Sequence, residues 1–219
     1  TYLKTYKINS PLIKDTTTLN SYINFEAEKE DLSFTTSIEV YEDLSKNSND
    51  RFEYIYPNYK LIKKIDTNRN FNNDLIFSSY GYQKKYATNV YEGTIINDLL
   101  YDPVTNFNKN GFKSKFNALL KNVNIEAKNS TKQKNKFDQS LLASVQYQSE
   151  YPLKKNGNIF DGHLIPKVSF MYSPNKTKNM LEDDRRIDIN NVFSMERLAA
   201  DDTIEGGSSI TIGAEYKKI

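Results

Sequence analysis

Apolar and polar residues alternate with a period of two along much of this 219-residue chain. In a β-strand, successive side chains point to opposite faces, so this alternation gives each strand one apolar face and one polar face. The pattern predicts an all-β protein built from antiparallel strands. Its clearest examples are the runs at 32–41, 141–148, 164–172 and 209–216.

Weaker alternating runs bring the predicted total to roughly ten strands of about 8–14 residues, with long polar loops between them. These weaker runs lie at 52–59, 75–82, 89–101 and 112–127. The short separator Lys29-Glu30-Asp31 predicts a hairpin turn. No internal repeat stands out, and we expect residues 1–219 to form a single partial domain without an internal boundary. Because the chain begins at Thr1 rather than Met, we interpret it as a segment of something longer or as a mature piece.

Two architectures give every strand one apolar face. In a soluble sandwich or barrel the apolar face points inward, whereas in an outer-membrane barrel it points outward to lipid and the polar face lines a wet lumen. Long strands, tyrosines near strand ends and the small number of glycines, 8 in all, favour the membrane barrel. On this interpretation Val145 and Ile212 face lipid. Gln146 and Thr211 face the lumen, where replacement by Arg should have little effect.

The composition limits the possible functions. A net charge of +2 argues against a protein held on nucleic acid by a strong basic field. The aromatic content of 13% argues against disorder, because disordered chains are poor in aromatic residues. No stretch approaches the roughly 18–20 uninterrupted apolar residues that a membrane-spanning helix needs.

Few residues are suited to catalysis or metal binding. The chain has no Cys, and its one His is His163, which is more typical of a strand-start surface residue than of a catalytic base. Asp183-Asp184 adjoins Arg185-Arg186, which indicates local charge pairing rather than a Ca²⁺ site. Glu205-Gly206-Gly207 lacks the lysine and the following helix of a phosphate-binding loop. We therefore expect no enzymatic activity, no catalytic residue, no metal and no cofactor.

The last third of the chain carries an ordered set of motifs. The strand at 164–174, preceded by Tyr151-Pro152-Leu153, has Pro166, Tyr172 and Pro174 in the pattern hydrophobic-E-P-x-hydrophobic-x-x-x-Y-x-P, with Ile165 in place of the Glu. Residues 188–197 read D-I-N-N-V-F-S-M-E-R, and residues 202–216 contain D-T-I-E-G-G and G-A-E-Y. This set resembles the LptD family of outer-membrane lipopolysaccharide-assembly proteins, in which Thr203 would commonly be Arg. Residues 1–6, T-Y-L-K-T-Y, are similar to a family strand T-Y-L-R-R-Y.

The resemblance implies a fold, a location and partners. The chain would be the middle part of a large antiparallel transmembrane β-barrel in the outer membrane of a Gram-negative bacterium. Such a barrel holds an LptE-like lipoprotein in its lumen and contacts outer-membrane lipid. It receives lipopolysaccharide from a periplasmic LptA-like bridge through an N-terminal domain and inserts it into the outer leaflet, without making or breaking a bond. The alternatives are another outer-membrane barrel, such as a porin or receptor, and a soluble carbohydrate-binding β-sandwich.

The resemblance also implies which residues have structural roles. We expect 188–207 to form a structured connector in which Arg197 pairs with Asp202 or Glu205, because a partly buried guanidinium needs a carboxylate. Pro166 should mark a loosened strand pairing, or else precede the regular pairing. The full set of family-motif residues is Pro166, Tyr172, Pro174, Phe193, Arg197, Asp202, Glu205, Gly206, Gly207, Gly213 and Tyr216.

Overall fold

The computed structural model describes residues 17–46, 49–66, 73–131, 133–157, 161–178, 187–198 and 200–218. Two features of the sequence lie outside these residues, namely the segment T-Y-L-K-T-Y at 1–6 and the charged run 183–186.

Regular structure in the described residues consists of 11 β-strands and a short 3-10 helix at Asn49–Arg51. Nine strands are long: β1 (Thr18–Lys29), β2 (Leu32–Asp43), β3 (Phe52–Asp66), β4 (Asn73–Tyr86), β5 (Val90–Pro103), β7 (Lys113–Lys128), β8 (Phe137–Glu150), β10 (Gly162–Ser173) and β11 (Gly207–Lys218). Two are short: β6 (Asn106–Phe107) and β9 (Leu153–Lys155). The all-β prediction is confirmed. No helix among the described residues is long and apolar enough to cross a membrane.

All strands belong to one sheet, and the long ones follow chain order. The order is β1-β2-β3-β4-β5-β7-β8-β10-β11, with β6 on β7 and β9 on β10. Short connections favour this arrangement, because an antiparallel neighbour needs only a turn. The predicted hairpin turn joins β1 to β2 through Glu30 and Asp31, and its register places Ile23 opposite Ile38.

Strand β3 is longer than its apolar–polar pattern predicted, because its last residues are mostly polar and do not continue the alternation. The apolar run that begins at Phe52 was expected to end at Tyr59, yet β3 continues to Asp66. Its polar continuation pairs with β2, with Lys63 opposite Leu32. Backbone hydrogen bonding to a neighbouring strand stabilises an extended segment whatever its side chains, so the pairing partner sets the end of the strand.

The chain groups into two compact units, each made of three segments. Unit 1 comprises Thr1–Lys63, Ser78–Asn97 and Val123–Ser140. Unit 2 comprises Lys64–Phe77, Asp98–Asn122 and Leu141–Ile219. The expectation of a single domain without an internal boundary stays a prediction.

On β8 and β10 the apolar face is exposed and the polar face is covered, whereas most of β1 is exposed on both faces. In unit 2, Val145 is 36% exposed and Ile212 is 81% exposed, whereas Gln146 on the opposite face of β8 is 3% exposed. Ser144 and Ser169 are also buried. In unit 1, Ile23 and Phe25 of β1 are exposed, as is Ile38 of β2. This is the reverse of a soluble sandwich, which must bury its apolar side chains.

Pro166 lies where the pairing partner of β10 changes. Residues 162–164 pair with β9, and pairing with β8 begins at Lys167. On the other side of β10, Pro166 stays in regular register opposite Ala214 of β11. Proline has no backbone N–H, so it fits the gap between two partners without the loss of a ladder hydrogen bond. The second interpretation of Pro166, that regular pairing begins after it, therefore holds on the β8 side.

The exposed apolar face predicts different effects of the same substitution at neighbouring positions. Ile23→Arg in β1 should lower the free energy of unfolding in a bilayer by about 2–4 kcal/mol if the position lies near mid-bilayer, because it places a charge in lipid. Asn24→Arg is the matched control, since Asn24 is also exposed but lies on the opposite face. Denaturant titration of the full-length protein in lipid bilayers measures both. Equal losses at the two positions would contradict the assignment of faces.

Candidate functional site

The connector between β10 and β11 contains a defined turn at residues 188–191. We use "connector" for residues 174–206, of which 174–178, 187–198 and 200–206 are described. The Asp188 carboxylate accepts the backbone N–H groups of Asn190 at 2.7 Å and Asn191 at 3.1 Å, and the Asn191 side chain accepts the N–H of Asp188 at 2.9 Å. Asp and Asn favour turns because their side chains bond to nearby backbone. The D-x-N-N part of the motif thus folds locally.

The connector is bonded to the polar face of β8. The carbonyl oxygen of Phe193 accepts hydrogen bonds from Gln146 Nε2 at 3.0 Å and from Gln148 Nε2 at 2.5 Å. Gln146 also donates to Ser169 of β10 at 3.0 Å. The expectation that Gln146 would accept replacement by Arg is therefore wrong. The side chain is buried beneath the connector, where an added charge would have to be desolvated.

Apolar side chains of the connector pack on an apolar patch within the polar face. Met195 and Ile204 form a buried cluster with Leu119 of β7 and Met171 of β10. Ile204 is only 1% exposed. Burial of an aliphatic side chain of this size contributes roughly 1.5–3 kcal/mol, so these contacts are a main source of the stability of the connector.

Lys121 ties the connector to two strands. Its side chain is 1% exposed, and its Nζ lies 3.0 Å from Asp98 Oδ2 of β5 and 2.9 Å from Glu196 Oε1 of the connector. It also donates to the carbonyl oxygen of Asp201 at 3.0 Å. A buried ammonium is tolerated only when it is paired and hydrogen-bonded, and these three acceptors meet that need.

Arg197 holds the end of the connector against the start of β11. Its Nη2 and Nε lie 2.8 and 3.0 Å from Oε2 of Glu205, and Nη2 also donates to Ser209 Oγ at 2.9 Å. The Arg197 side chain is 7% exposed. Of the two expected partners, the structure places Glu205 beside Arg197, and Asp202 instead pairs with Lys178 at 2.5 Å.

Two motif glycines lie where a side chain would collide with the connector. A Cβ on Gly206 would lie 2.0 Å from the carbonyl oxygen of Asn175, and a Cβ on Gly213 of β11 would lie 3.1 Å from the Phe193 ring. Gly207, the first residue of β11, has φ +93°, a conformation that L side chains rarely adopt. Gly213 therefore allows the connector to approach β11 closely, and Gly206 allows the two ends of the connector to approach each other.

The remaining motif residues lie away from these contacts. Tyr172 in β10 and Tyr216 in β11 are exposed on the apolar face, and Pro174 is exposed directly after β10. The structure therefore brings together Phe193, Arg197, Glu205, Gly206 and Gly213 but not the whole motif set.

Sequence reasoning missed two residues of the site. Asn175 extends the pairing of β8, since its side chain donates to the carbonyl of Ala143 at 2.8 Å and accepts the N–H of Ala143 at 3.4 Å. Lys121 was missed because lysine is common in this chain. The available signal was its position between Leu119 and Val123, on the face of β7 that those two aliphatic residues share.

Near His163, the carboxylate of Asp161 is paired with a lysine. His163 lies in β10, opposite Lys154 on one side and Lys217 on the other. The nearby Asp161 bonds Lys154 at 2.8 Å, and this bond, helped by the N–H of Gly157, holds the pKa of Asp161 below its ordinary value. No group of three or more His, Cys, Asp or Glu suited to a metal ion occurs among the described residues. Taken together, the contacts of the candidate site hold the connector against the sheet.

A comparison with known protein families shows to which family the chain is related. The model of the family described as LptD, LPS transport system D, matches residues 1–219. It confirms the resemblance that the motifs of the last third indicated. No curated protein matches the chain.

The geometry at Arg197 predicts a cost for its removal. Arg197→Ala should lower the free energy of unfolding by roughly 1–3 kcal/mol, because the mostly buried Glu205 carboxylate would lose its charged partner. Lys178→Ala is the matched control, since it breaks the more exposed pair with Asp202 and should cost less than about 1 kcal/mol. Denaturant titrations of the full-length variants measure both. Equal costs would contradict the assignment of Arg197–Glu205 as the structural pair, and Arg197→Ala/Glu205→Gln should recover part of the loss.

Proposed function

The chain belongs to the LptD family, and from this membership we propose that it forms part of the outer-membrane translocon that inserts lipopolysaccharide into the outer leaflet. Proteins of this family are β-barrels that act in lipopolysaccharide transport in the outer membrane of Gram-negative bacteria. Within that role, we assign this segment to the wall of the barrel and to its connecting loops, rather than to the opening through which the glycolipid leaves.

The observation that carries the proposal is the reversal of the two strand faces. Val168, Phe170 and Ile212 are exposed on one face, whereas Ser169 is buried on the other. Lipid can cover an exposed apolar face, and a polar lumen suits the sugar and phosphate head group of a glycolipid. Exposed aliphatic and aromatic side chains on neighbouring strands would be a serious liability in water.

The connector gives the polar face a definite covering. Its Glu196 pairs with Lys121 of β7, its own Arg197 and Glu205 pair with each other, and its apolar side chains cover Leu119 and Met171. A wall with a fixed inner lining keeps its shape while a large amphiphile passes. The charged and amide groups of the lining are held in place by these bonds.

The partners follow from the same family role. We propose lipopolysaccharide as the transported molecule, an LptE-like lipoprotein within the lumen, and an LptA-like periplasmic bridge that delivers the glycolipid through an N-terminal domain. Outer-membrane lipid surrounds the apolar face.

The other two candidate functions have less support. A soluble carbohydrate-binding sandwich requires the apolar parity to be buried, and Ile212 at 81% exposure is the opposite. A porin or receptor would have the same face reversal, but the family match over residues 1–219 favours lipopolysaccharide transport.

A transport assay tests the proposal. In cells that depend on the full-length protein, Arg197→Ala should reduce folded barrel and lipopolysaccharide at the cell surface in parallel, and permeability to large antibiotics should rise. Lys178→Ala should leave all three unchanged. The mass of the lipopolysaccharide should be the same before and after passage through the purified translocon. A change in its mass, or loss of an enzymatic activity at normal barrel levels, would contradict the proposal.

A further inference from the structure

A groove of about 170 Å³ lies within unit 1, among residues of β3, β4, β5, β7 and β8. Four aromatic side chains line it, and we call it the aromatic groove: Tyr59, Tyr82, Tyr91 and Phe137, together with Gly93 and Ile95 of β5. Ile95 is 47% exposed, whereas Glu92 and Ile96, which have the opposite parity on β5, are buried. The groove therefore opens on the apolar face, which the membrane covers.

Gly93 makes room for the groove. A Cβ at this position would lie 3.0 Å from the phenolic oxygen of Tyr91 and 3.5 Å from its ring carbon Cζ. The Tyr91 ring thus lies alongside the bare backbone of Gly93, and a larger residue at 93 would have to displace it. The result is a notch with apolar walls, and tyrosine rings set its width.

The aromatic groove lies where the apolar face turns polar. Along β7, the positions on this face begin with Phe116 and Leu120, both exposed, and continue with Asn124 and Glu126, which line the groove. Asn124 reaches β5, where its Nδ2 lies 3.4 Å from the carbonyl oxygen of Ile95. A change from aliphatic to polar side chains, with tyrosines at the border, is typical of the membrane–water interface.

Glu126 gives the groove a negative charge. Its side chain is exposed, and the ion pairs among the described residues do not include it. A carboxylate beside tyrosine rings attracts an ammonium group, through charge and through the negative faces of the rings. Tyrosines of the same unit already hold such groups, since Lys84 Nζ lies 4.8 Å from the Tyr86 ring centroid and Lys85 Nζ lies 5.5 Å from that of Tyr56.

We propose that the aromatic groove binds one ethanolamine phospholipid of the surrounding bilayer. Its ammonium group pairs with Glu126, and the first methylenes of an acyl chain pack on Gly93 and Ile95. The exposed Lys85, which lies over the ring of Tyr56 next to the groove residue Pro57, attracts the lipid phosphate. A lipid whose head group carries only negative charge is disfavoured by Glu126. This site is independent of the route that lipopolysaccharide takes through the protein, and it goes beyond the proposed transport function.

Native mass spectrometry of the full-length protein with its lipoprotein partner tests this site. Phosphatidylethanolamine and phosphatidylglycerol with identical acyl chains are added in turn to the complex in detergent micelles. We expect phosphatidylethanolamine to bind more tightly, and Glu126→Gln to weaken it about fivefold, as for one partly exposed ion pair. Gly93→Leu should weaken both lipids. Glu28→Gln, which removes an exposed carboxylate of β1 in the same unit, should change neither.

Each alternative result overturns the proposal. Equal binding of the two lipids by the native protein would show ordinary annular lipid rather than a site. Tighter binding of phosphatidylglycerol, or of lipopolysaccharide in a parallel titration, would show recognition of phosphate. An unchanged affinity in Glu126→Gln would also contradict it. Because Gln has nearly the same shape as Glu and position 126 is exposed, this variant should fold normally, which the faster gel mobility of an unheated folded barrel verifies.

Discussion

Polar groups on the covered face of the sheet must find partners, and this requirement shapes unit 2. Two cations, Lys121 and Arg197, lie where water is largely excluded, and a buried charge without a partner would cost several kcal/mol. The connector supplies the acids Glu196 and Glu205, and its backbone carbonyl at Phe193 accepts from two glutamines of β8. Asn117 Oδ1 and Ser144 Oγ are buried exceptions without a hydrogen-bond partner among the described residues. Since β7 and β8 bond directly to the connector, its displacement would remove Glu196 from Lys121 and the Phe193 acceptor from both glutamines.

The same requirement explains why the chain exposes its aliphatic residues. A strand has two faces, and within unit 2 the connector covers polar-face residues of β7, β8 and β10. The other face is left for an apolar environment, which the outer membrane of the LptD family provides. The glycines that the family motif contains follow from this arrangement as well. Gly213 permits the close approach of Phe193 to β11, and Gly206 permits the close approach of Asn175 at the other end of the connector.

Much of the fold was predictable from the sequence, because alternation with a period of two survives wherever one face meets lipid or protein. The runs around Val145, Val168 and Ile212 are strands with the predicted face exposed. Alternation did not predict the extension of β3 to Asp66, since the pairing of Lys63 with Leu32 is a backbone interaction that no side-chain pattern reports. It also did not show what covers the polar face. Gln146 looked like a lumen residue in water, and its true neighbour is Phe193, 47 residues away. Of the candidate site, a pair of Arg197 with Asp202 or Glu205 was expected from charge and the structure selects Glu205, whereas Lys121 and Asn175 depend on contacts far apart in the chain.

The central claim is that alternate residues of each strand face lipid, and β11 offers the most direct measurement. The 219 residues contain no Cys, so single cysteines carrying spin labels can be placed in turn at positions 209–212 and 214–216 of the full-length protein in lipid bilayers, once any cysteines elsewhere have been replaced. Collision with dissolved oxygen, which concentrates in the acyl region, then reports exposure to lipid at each position. The account predicts oscillation with a period of two, with maxima at 210, 212, 214 and 216 and minima at 209, 211 and 215. A flat profile, or maxima at the odd positions, would contradict it.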